Sequence, residues 1–255
     1  QAEDGIRAHC VTGAQTCALP ISYLAALRKQ INLDRHRPPA ALPPRPPWPE
    51  GTNTTHLSVA DRQGGLVALT TTLNFPFGNG IAVPEAGFLL NNEMDDFALK
   101  AGVPNAFGLI GDTANAVGAE KRPLSSMTPT LVFKDGKPWL ATGAPGGSRI
   151  ITVVLQIILN TTVFGMNVAD ATAQPRIHHQ WLPDELYLEP GISADTVRLL
   201  KSMGQHPVEG GLLLGNSQSI MFRDGYMLGV SDTRRPGGGV ATVEELRWPK
   251  PAQAR

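Results

Sequence analysis

The sequence predicts an α+β fold. Strand-like stretches follow one another from residue 54 onward, and turn signals separate them. Helical periodicities come as separate runs instead of alternating with single strands, which argues against a doubly wound parallel sheet. The most apolar run, Ile150 to Leu159, contains Gln156 and is too short to cross a bilayer, so we interpret it as a buried helix. These features favour packed layers of sheet and helix.

The composition is that of an ordinary globular protein and gives no sign of some classes of partner. Of the 255 residues, 42% are hydrophobic and 17% are charged, and the length allows one large domain or two small ones. The formal net charge is zero, so nothing favours nucleic acid or an acidic membrane surface as a partner.

The first segment of the chain differs from the rest. Back-translated, residues 1–21 resemble a common sequencing-library adapter, although Ala8 and Ala14 each depart from it by what would be a single base change. The segment lacks the basic start and apolar core of a secretory leader, so we expect it not to belong to the natural protein. Both cysteines, Cys10 and Cys17, lie in this segment and therefore support no disulfide or redox argument.

Residues 22–53 are predicted to be a helix followed by an extended linker. Apolar residues recur at helical spacing within Ser22 to Leu33. Residues 38–49 hold seven of the chain's 22 prolines, which fix φ and remove backbone donors, so this stretch is extended. We therefore expect a folded domain to occupy residues 54–255.

A β-hairpin is predicted to open that domain. Thr55 to Ala60 and Leu66 to Leu73 read as strands, and two glycines relieve φ strain in the turn between them. Antiparallel pairing would bring Thr72 back beside Thr54. Gly87 to Asn92 is predicted to be another strand.

The remaining elements follow from the same kinds of signal. A second hairpin joins Thr130 to Lys134 with Trp139 to Thr142 through an Asp135-Gly136 turn. Gly146 to Phe164 is the longest helix, and since even its second face is scarcely polar, we expect it to be buried against a sheet. The other predictions are a short helix at Ala169 to Ala173, a helix at Ser193 to Met203 capped by Ser193 and Gly204, and strands at Gln218 to Phe222 and Tyr226 to Val230.

Thr54 is the first candidate catalytic residue. If the Asn53–Thr54 bond were cut, Thr54 would carry both a hydroxyl nucleophile and a free amine able to act as its base. The hydroxyl of Thr72, on the paired strand, could orient that nucleophile. The alternative interpretation is that these threonines are simply good strand formers.

Other stretches supply groups that an acyl transfer requires. The glycines within Thr142 to Arg149 would expose backbone N–H groups at the positive end of the long helix, a natural oxyanion hole. The acidic and amide groups of Asn91 to Phe97 could hold an ammonium, although a solvated turn is the alternative. The adjacent hydroxyls of Ser125 and Ser126 suit a carboxylate.

No metal or cofactor site is predicted. The sequence has no Walker loop and no HExxH, GxSxG or paired CxxC motif. His178 and His179 lack the i, i+4 spacing of a helical metal pair, and a structural position in a strand is the preferred interpretation.

Together these stretches resemble the small subunit of γ-glutamyltranspeptidases (glutathione hydrolases) over about residues 53–232. The motifs that carry the resemblance are specific in combination: TTH, TLN, LLNNEMDDF, RPLSSMTPT, GAPGGSRII and HHQWLPDEL. Residues 22–53 resemble the end of that family's large subunit. The resemblance implies a precursor of the N-terminal-nucleophile hydrolase class with a four-layer αββα core.

The resemblance also implies a role for each candidate residue. The Asn53–Thr54 bond matches the processing site, Thr54 the nucleophile and Thr72 the residue that assists it. The further matches are Gly146 and Gly147 in the oxyanion hole, Asn74, Glu93 and Asp96 around the substrate α-amino group, Ser125 and Ser126 at its α-carboxylate, and a lid loop at Ala101 to Gly111. This chain has Phe107 where many bacterial relatives carry Tyr in the lid. The family's carboxylate-binding arginine belongs to the large subunit.

The implied function is hydrolysis of glutathione and other γ-glutamyl amides, or transfer of the γ-glutamyl group to an amino acid or peptide. The large subunit of the same precursor is the implied partner, no cofactor or membrane span is expected, and the implied location is periplasmic or extracellular. Two alternatives stay open. A cephalosporin or glutaryl acylase of the same superfamily would not need groups around an α-amino group, and a fragment without its large subunit could be inactive.

Overall fold

The computed structural model describes residues 25, 28–29, 33–35, 54–210 and 213–242. Within the predicted helix Ser22 to Leu33, Ala25 and Arg28 are helical, and the N–H of Lys29 donates to the carbonyl of Ala25 over 3.3 Å. The adapter-like segment, the proline-rich linker and Asn53 lie outside the described residues.

Strands and helices are mixed in the domain that begins at Thr54, which confirms the predicted α+β class. The strands are β1 (Thr55–Ala60), β2 (Leu66–Thr71), β3 (Ala82–Val83), β4 (Phe88–Leu89), β5 (Thr130–Lys134), β6 (Lys137–Thr142), β7 (Ile177–His178), β8 (Leu186–Leu188), β9 (Pro207–Glu209), β10 (Gln218–Arg223) and β11 (Tyr226–Ser231). The helices are α1 (Ile150–Thr162), α2 (Val168–Ala173) and α3 (Ala194–Ser202). The sheets have the strand orders β1-β2, β3-β4, β11-β10-β6-β5 and β7-β8-β9.

The first hairpin pairs its strands in the predicted register. β1 and β2 are antiparallel, with Thr55 opposite Thr71. The side chain of Asp61 closes the turn by accepting from two backbone N–H groups of the turn. Because this register is fixed, the residues just before β1 and just after β2, Thr54 and Thr72, are held side by side.

The core lies around α1 and the four-stranded sheet. A turn of 3₁₀-helix at Gly147–Arg149 leads into α1, so the predicted helix begins at Ile150 rather than Gly146. Its buried face consists of Ile150, Val153, Val154 and Ile157. On the sheet side, Leu140 and Met221 pack with Val168 of α2, and Ile158 of α1 contacts them.

The outer face of α1 is more exposed than predicted. Ile151 is 48% exposed and Leu155 is 49% exposed. The expectation of a buried helix is therefore wrong for the outer face, since within the described part of the chain only one side of α1 packs against the core. An apolar stripe is left facing outward.

The strand predicted at Gly87 to Asn92 is wrong for most of its length. Only Phe88–Leu89 is extended, and it pairs with β3. The N–H of Asn92 donates instead to the carbonyl of Leu73 over 3.1 Å, and its Oδ1 accepts from the N–H of Phe75 over 2.9 Å. These contacts draw Asn92 to the end of β2 and out of the predicted strand.

The three-stranded sheet contains strands that the sequence did not predict. β8 and β9 are parallel and are connected through α3, so the fold includes one crossover unit. These strands are two or three residues long, too short for a pattern of alternating burial to be recognised. His178 lies in β7 opposite Tyr187, which confirms its predicted strand position.

The C-terminal elements agree with the sequence. The Oγ of Ser193 accepts from the N–H of Thr196 over 3.1 Å at the start of α3, and Gly204 follows the helix with a φ of +90°. β10 and β11 each extend one residue beyond the predicted strand. In the part of the chain that the structure describes, no helix has the length and apolar character needed to cross a membrane.

Candidate active site

Thr54 and Thr72 form the centre of the candidate site. The Oγ1 of Thr54 donates to the Oγ1 of Thr72 over 3.1 Å. The Oγ1 of Thr72 also accepts from the N–H of Asn74 over 2.9 Å, so two donors fix its position. The contact between Thr54 and Thr72 that the hairpin register predicted is confirmed, and it holds the proposed nucleophile in one orientation.

Asn74 links this pair to the acidic segment. It is buried and has a φ of +71°, a left-handed conformation that Asn tolerates better than most residues. Its Nδ2 donates to the carbonyl of Asn92 over 3.2 Å. This bond and the two that Asn92 forms with the end of β2 bring the residues that follow Asn92 next to the partner of Thr54.

Glu93 and Asp96 face each other across a turn of 3₁₀-helix, Glu93–Asp96. Burial raises the pKa of Asp96 to about 7, and the charge of Glu93 adds to the shift. Burial also raises the pKa of Glu93, although its hydrogen bond with Asp96 opposes that rise. Among the described residues, neither carboxyl is in an ion pair with Lys or Arg. A bound cation would relieve this accumulation of negative charge.

Ser126 and Asp96 line one cavity, whereas Thr54 lines another. The first cavity is bordered by residues of the predicted lid loop: Val103, Pro104, Asn105, Ala106, Leu109, Ile110 and Gly111. Ser125 is exposed, and its Oγ accepts from the N–H of Met127 over 3.2 Å. The second cavity lies between the start of β1, Pro145 and a loop at residues 235–239. Asp96 and Ser126 therefore share a cavity, whereas Thr54 lines a separate one.

The predicted oxyanion turn has a backbone that suits glycine. Gly146 has a φ of +143° and Gly147 a φ of +58°, values that residues with a side chain rarely adopt. Gly146 is buried against Gly215, and the turn leads directly into α1. The N–H groups of both glycines precede a helix start, where they can bind a developing negative charge. Their role in an oxyanion hole remains a prediction.

His56 joins the strand of the nucleophile to the segment before the oxyanion turn. Its ring is so close to Gly143 that a Cβ on that glycine would lie 2.2 Å from His56 Cε1. Ser58 Oγ donates to the carbonyl of Gln218 over 2.9 Å, so it accepts from His56 Nε2, and Nδ1 then accepts from Thr70. Burial lowers the pKa of His56 to about 4, which leaves the ring neutral at neutral pH.

A buried network of ion pairs lies behind the site. Arg176 contacts Asp232 over 2.7 Å, and Arg234 contacts both Asp232 (3.1 Å) and Glu189 (2.7 Å). Arg176 also donates to the carbonyl of Leu214 over 2.6 Å. The network thereby anchors the segment that contacts Gly146 and the start of the loop near Thr54.

Phe107, in the loop that the resemblance predicts to be a lid, packs on an aromatic neighbour. Its ring meets that of Phe75 edge to face, with 6.0 Å between centroids. Phe75 directly follows Asn74, one of the residues predicted to hold the substrate α-amino group. The predicted lid loop therefore contacts the segment just beyond β2.

Sequence reasoning missed several residues that shape the site. His56 lies in the motif TTH and Gly143 in the motif GAPGGSRII, but only their contact in space shows what they do. Asn92 stood in the acidic motif with no separate role. Glu189 and Arg176 of the buried network carry no local sequence signal, because Glu189 pairs with Arg234 and Arg176 with Asp232, each far along the chain.

Comparison with known proteins identifies the family of this chain. The family profile described as Gamma-glutamyltranspeptidase matches residues 9–242. The glutathione hydrolase proenzyme of Escherichia coli is 54% identical over 215 residues, which cover 84% of this chain and 37% of that protein. The chain thus spans little more than a third of that curated relative's length.

Solved structures agree with the sequence comparison. The T380A mutant of Helicobacter pylori γ-glutamyltranspeptidase is 48% identical and superposes with a TM-score of 0.68, covering 71% of this chain and 100% of the other. Cephalosporin acylase from Bacillus halodurans is 24% identical with a TM-score of 0.65, covering 84% of this chain and 37% of that one. At this identity the acylase likeness concerns the fold alone.

Proposed function

This chain belongs to the γ-glutamyltranspeptidase family, and we propose on that premise that residues 54–242 carry the catalytic centre of a γ-glutamyl transferase and hydrolase. The observation that carries the proposal is the 3.1 Å hydrogen bond from Thr54 to Thr72 at the start of β1. It places a hydroxyl directly after the predicted scissile bond and orients it with a second hydroxyl. The likeness of this chain to both solved structures supports the αββα fold of N-terminal-nucleophile hydrolases.

The first reaction is proposed to be cleavage of the chain itself. Thr54 Oγ1 attacks the carbonyl carbon of Asn53, its proton passes to the departing nitrogen, and the peptide bond is replaced by an ester. Water then hydrolyses the ester and leaves a carboxylate on Asn53 and an α-amino group on Thr54. The ordinary pKa of such an amine is about 7.7–8.0, so it can serve as a base near neutral pH.

The second reaction uses the same hydroxyl on a substrate. The Thr54 amine takes the hydroxyl proton while Oγ1 attacks the γ-glutamyl amide, and the proton is passed to the leaving amine. The N–H groups of Gly146 and Gly147 stabilise the oxyanion, where each donor typically contributes about 3 kcal/mol. Water, or the amine of an amino acid or peptide, then releases the γ-glutamyl group from its ester.

The acidic pair supports a substrate that carries an α-amino group. Asn74 follows Thr72 just beyond β2, and its bond to Asn92 brings Glu93 and Asp96 close to it. An ammonium between the carboxyls would favour their ionised forms. Glutathione and other γ-glutamyl amides meet this requirement, whereas a glutaryl chain does not.

A large subunit of the same precursor is the proposed partner. Apolar side chains of β1, β2, β5 and the outer face of α1 are exposed: Leu57, Val59, Val67, Leu69, Phe133, Ile151 and Leu155. Such a surface is suited to burial by another layer of the fold. We also propose that the assembled enzyme is periplasmic or extracellular, which fractionation of the source organism would test.

The proposal is tested with a composite precursor in which residues 22–255 replace the matching part of the Escherichia coli relative. We expect self-cleavage and release of p-nitroaniline from γ-glutamyl-p-nitroanilide, and little release from the glutaryl anilide. Faster cleavage of the glutaryl anilide would favour the acylase alternative. The same chain without a large subunit shows whether residues 22–255 are active alone.

A further inference from the structure

Gln180 contacts separate parts of the candidate site through one side-chain amide. Its Nε2 donates to the carbonyls of Phe107 and Leu182, each over 3.2 Å. Its Oε1 accepts from Ser148 Oγ over 2.8 Å and from His178 Nε2 over 3.0 Å. Both donor hydrogens and both acceptor sites of the amide are therefore used.

The orientation of this amide follows from the identity of its partners. Carbonyl oxygens only accept, so the nitrogen of Gln180 must face Phe107 and Leu182, and the oxygen must face Ser148. His178 Nε2 is then the donor to Gln180. Burial lowers the pKa of His178 to about 4, so its ring is neutral and Nδ1 is an acceptor. Thr152 Oγ1 lies 2.8 Å from Nδ1 and 3.0 Å from the carbonyl of Arg149, so its single hydrogen is shared between these two acceptors.

One end of this hydrogen-bonded relay is rigid. Ser148 directly follows Gly147 of the oxyanion turn and is only 3% exposed. Thr152 lies in the first turn of α1 and binds the ring of His178. Gln180 is thus attached to the same helix start that supplies the proposed oxyanion donors.

The other end of the relay lies on the lid loop. Phe107 is at the tip of Ala101 to Gly111, in a turn where Asn105 Oδ1 accepts from the N–H groups of Phe107 and Leu109 over 3.0 Å each. A Cβ on Gly108 would lie 3.1 Å from the Nε2 of Gln180, so the lid backbone rests against the amide.

We propose that Gln180 is a positioning residue that ties the closed lid to the oxyanion turn. The tie uses the backbone carbonyl of residue 107, so it does not depend on whether that residue is Phe or Tyr. A substrate entering beneath the lid must break the bond from Gln180 to Phe107, and lid closure restores it. The consequence for catalysis rests on the proposed function, whereas the tie itself does not.

Gln180→Glu tests the tie in the composite precursor. The carboxylate keeps the acceptor for Ser148 and His178 but loses the donor and repels the carbonyl of Phe107. We expect the KM for γ-glutamyl-p-nitroanilide to rise about fivefold to tenfold while kcat changes less than twofold. Self-cleavage should be unchanged, because its scissile bond lies within the chain and needs no lid.

Amide hydrogen exchange measures the lid without reference to activity. In Gln180→Glu, the N–H groups of Phe107, Gly108 and Leu109 should exchange faster, while those of α1 keep their protection. Gln63→Glu is the matched control, since it makes the same change at an exposed turn of the first hairpin and should alter neither readout. Gln180→Met, uncharged and of similar volume, should reproduce the effect if the glutamate variant does not fold.

The outcomes separate the tie from the proposed function. Unchanged amide exchange in the lid of both Gln180 variants would overturn the tie. A fall in kcat accompanied by a lower melting temperature, with KM unaltered, would overturn it as well. A wild-type composite precursor that neither cleaves itself nor releases p-nitroaniline would instead refute the proposed function, and the exchange experiment would still test the tie.

Discussion

The nucleophile side of the site is closely packed, whereas the clamp side is open. Thr54 and Thr72 are hydrogen-bonded, and the ring of His56 touches Gly143 without room for a methyl group. On the clamp side, Asp96 and Glu93 face each other without a cationic partner in the described chain, and Ser125 is exposed. We propose that the two sides form one site, although Asp96 and Thr54 line separate cavities in this structure.

This difference indicates which parts of catalysis the chain can supply alone. The groups that we propose to make and break bonds, Thr54 and Thr72 among them, are positioned by contacts within residues 54–242. The clamp needs a positive charge, which the proposed substrate brings as its α-amino group, and an arginine that the large subunit is proposed to supply. Variants on the nucleophile side should therefore alter kcat, and those on the clamp side should alter KM.

Among variants that keep Thr54, the largest effect is expected from Gly143→Ala. The added methyl group overlaps the ring of His56 and must push β1 away from the oxyanion turn. A displacement of about 1 Å can cost about a hundredfold in rate, so kcat should fall by that order with KM little changed. Steady-state kinetics of the composite precursor measure it.

A second substitution controls for general damage in that variant. His56→Ala removes the ring that the methyl group strikes, so the double variant should recover part of the kcat that Gly143→Ala loses. If the double variant is no better than Gly143→Ala alone, the contact with His56 does not set the geometry.

Glu93→Gln is expected to act on the other side of the site. It removes one of the two carboxylates proposed to bind the substrate ammonium, an interaction worth about 1.5–3 kcal/mol. The KM for γ-glutamyl-p-nitroanilide should rise about tenfold to a hundredfold, with self-cleavage intact. Glu85→Gln, at an exposed position, is the control, and a fall in kcat without a change in KM would contradict the assignment.

The pH dependence of binding should reveal Asp96. Its pKa is raised from 3.8 to about 7 by burial first and then by the charge of Glu93, so the empty clamp carries a proton below that pH. The KM should therefore rise as the pH falls below about 7, by up to about tenfold per unit. A donor lacking the α-amino group should show no such rise.

The raised pKa of Asp96 also predicts how the stability of the folded chain depends on pH. Low pH weakens substrate binding but favours the folded state. A carboxyl whose pKa is raised on folding favours the folded state at low pH, and this contribution is lost as the pH rises through about 7. Asp96→Asn should remove that loss, so its melting temperature should fall less than that of the wild type between pH 5 and pH 8. An identical fall in both proteins would argue against a raised pKa.

The smallest effect is expected at the lid. Phe107→Leu keeps most of the apolar volume but loses the edge-to-face contact with Phe75, which is worth about 0.5–1.5 kcal/mol. KM should rise about twofold to tenfold, and the tie through the carbonyl of residue 107 should persist. If the lid N–H groups of Phe107→Leu exchange as fast as those of Gln180→Glu, the Phe107 ring and not the Gln180 side chain holds the lid.

The sequence predicted those parts of the site that depend on local signals. The register of the first hairpin placed Thr72 beside Thr54, and the glycines before α1 identified the turn at Gly146. Capping residues such as Ser193 located α3. In each case the residues that determine the geometry are close in the chain or lie on paired strands.

The sequence could not predict features that arise from distant contacts. Asn92 leaves its expected strand because Leu73 and Phe75 bind it. Gln180 is recognisable as a link between lid and oxyanion turn only when Phe107 and Ser148 are both in place. The outward stripe of α1 looked like part of a buried helix because composition alone cannot say which element covers a face.

The most direct test of the central claim is the N-terminus that the composite precursor acquires. Mass spectrometry should find a fragment that begins at Thr54, and Thr54→Ala should leave the precursor in one piece and without γ-glutamyl-p-nitroanilide activity. Thr54→Ser should still cleave, since it keeps the hydroxyl. A precursor that stays intact, with the Thr54 nitrogen still an amide, and nevertheless releases glutamate from glutathione would contradict the account.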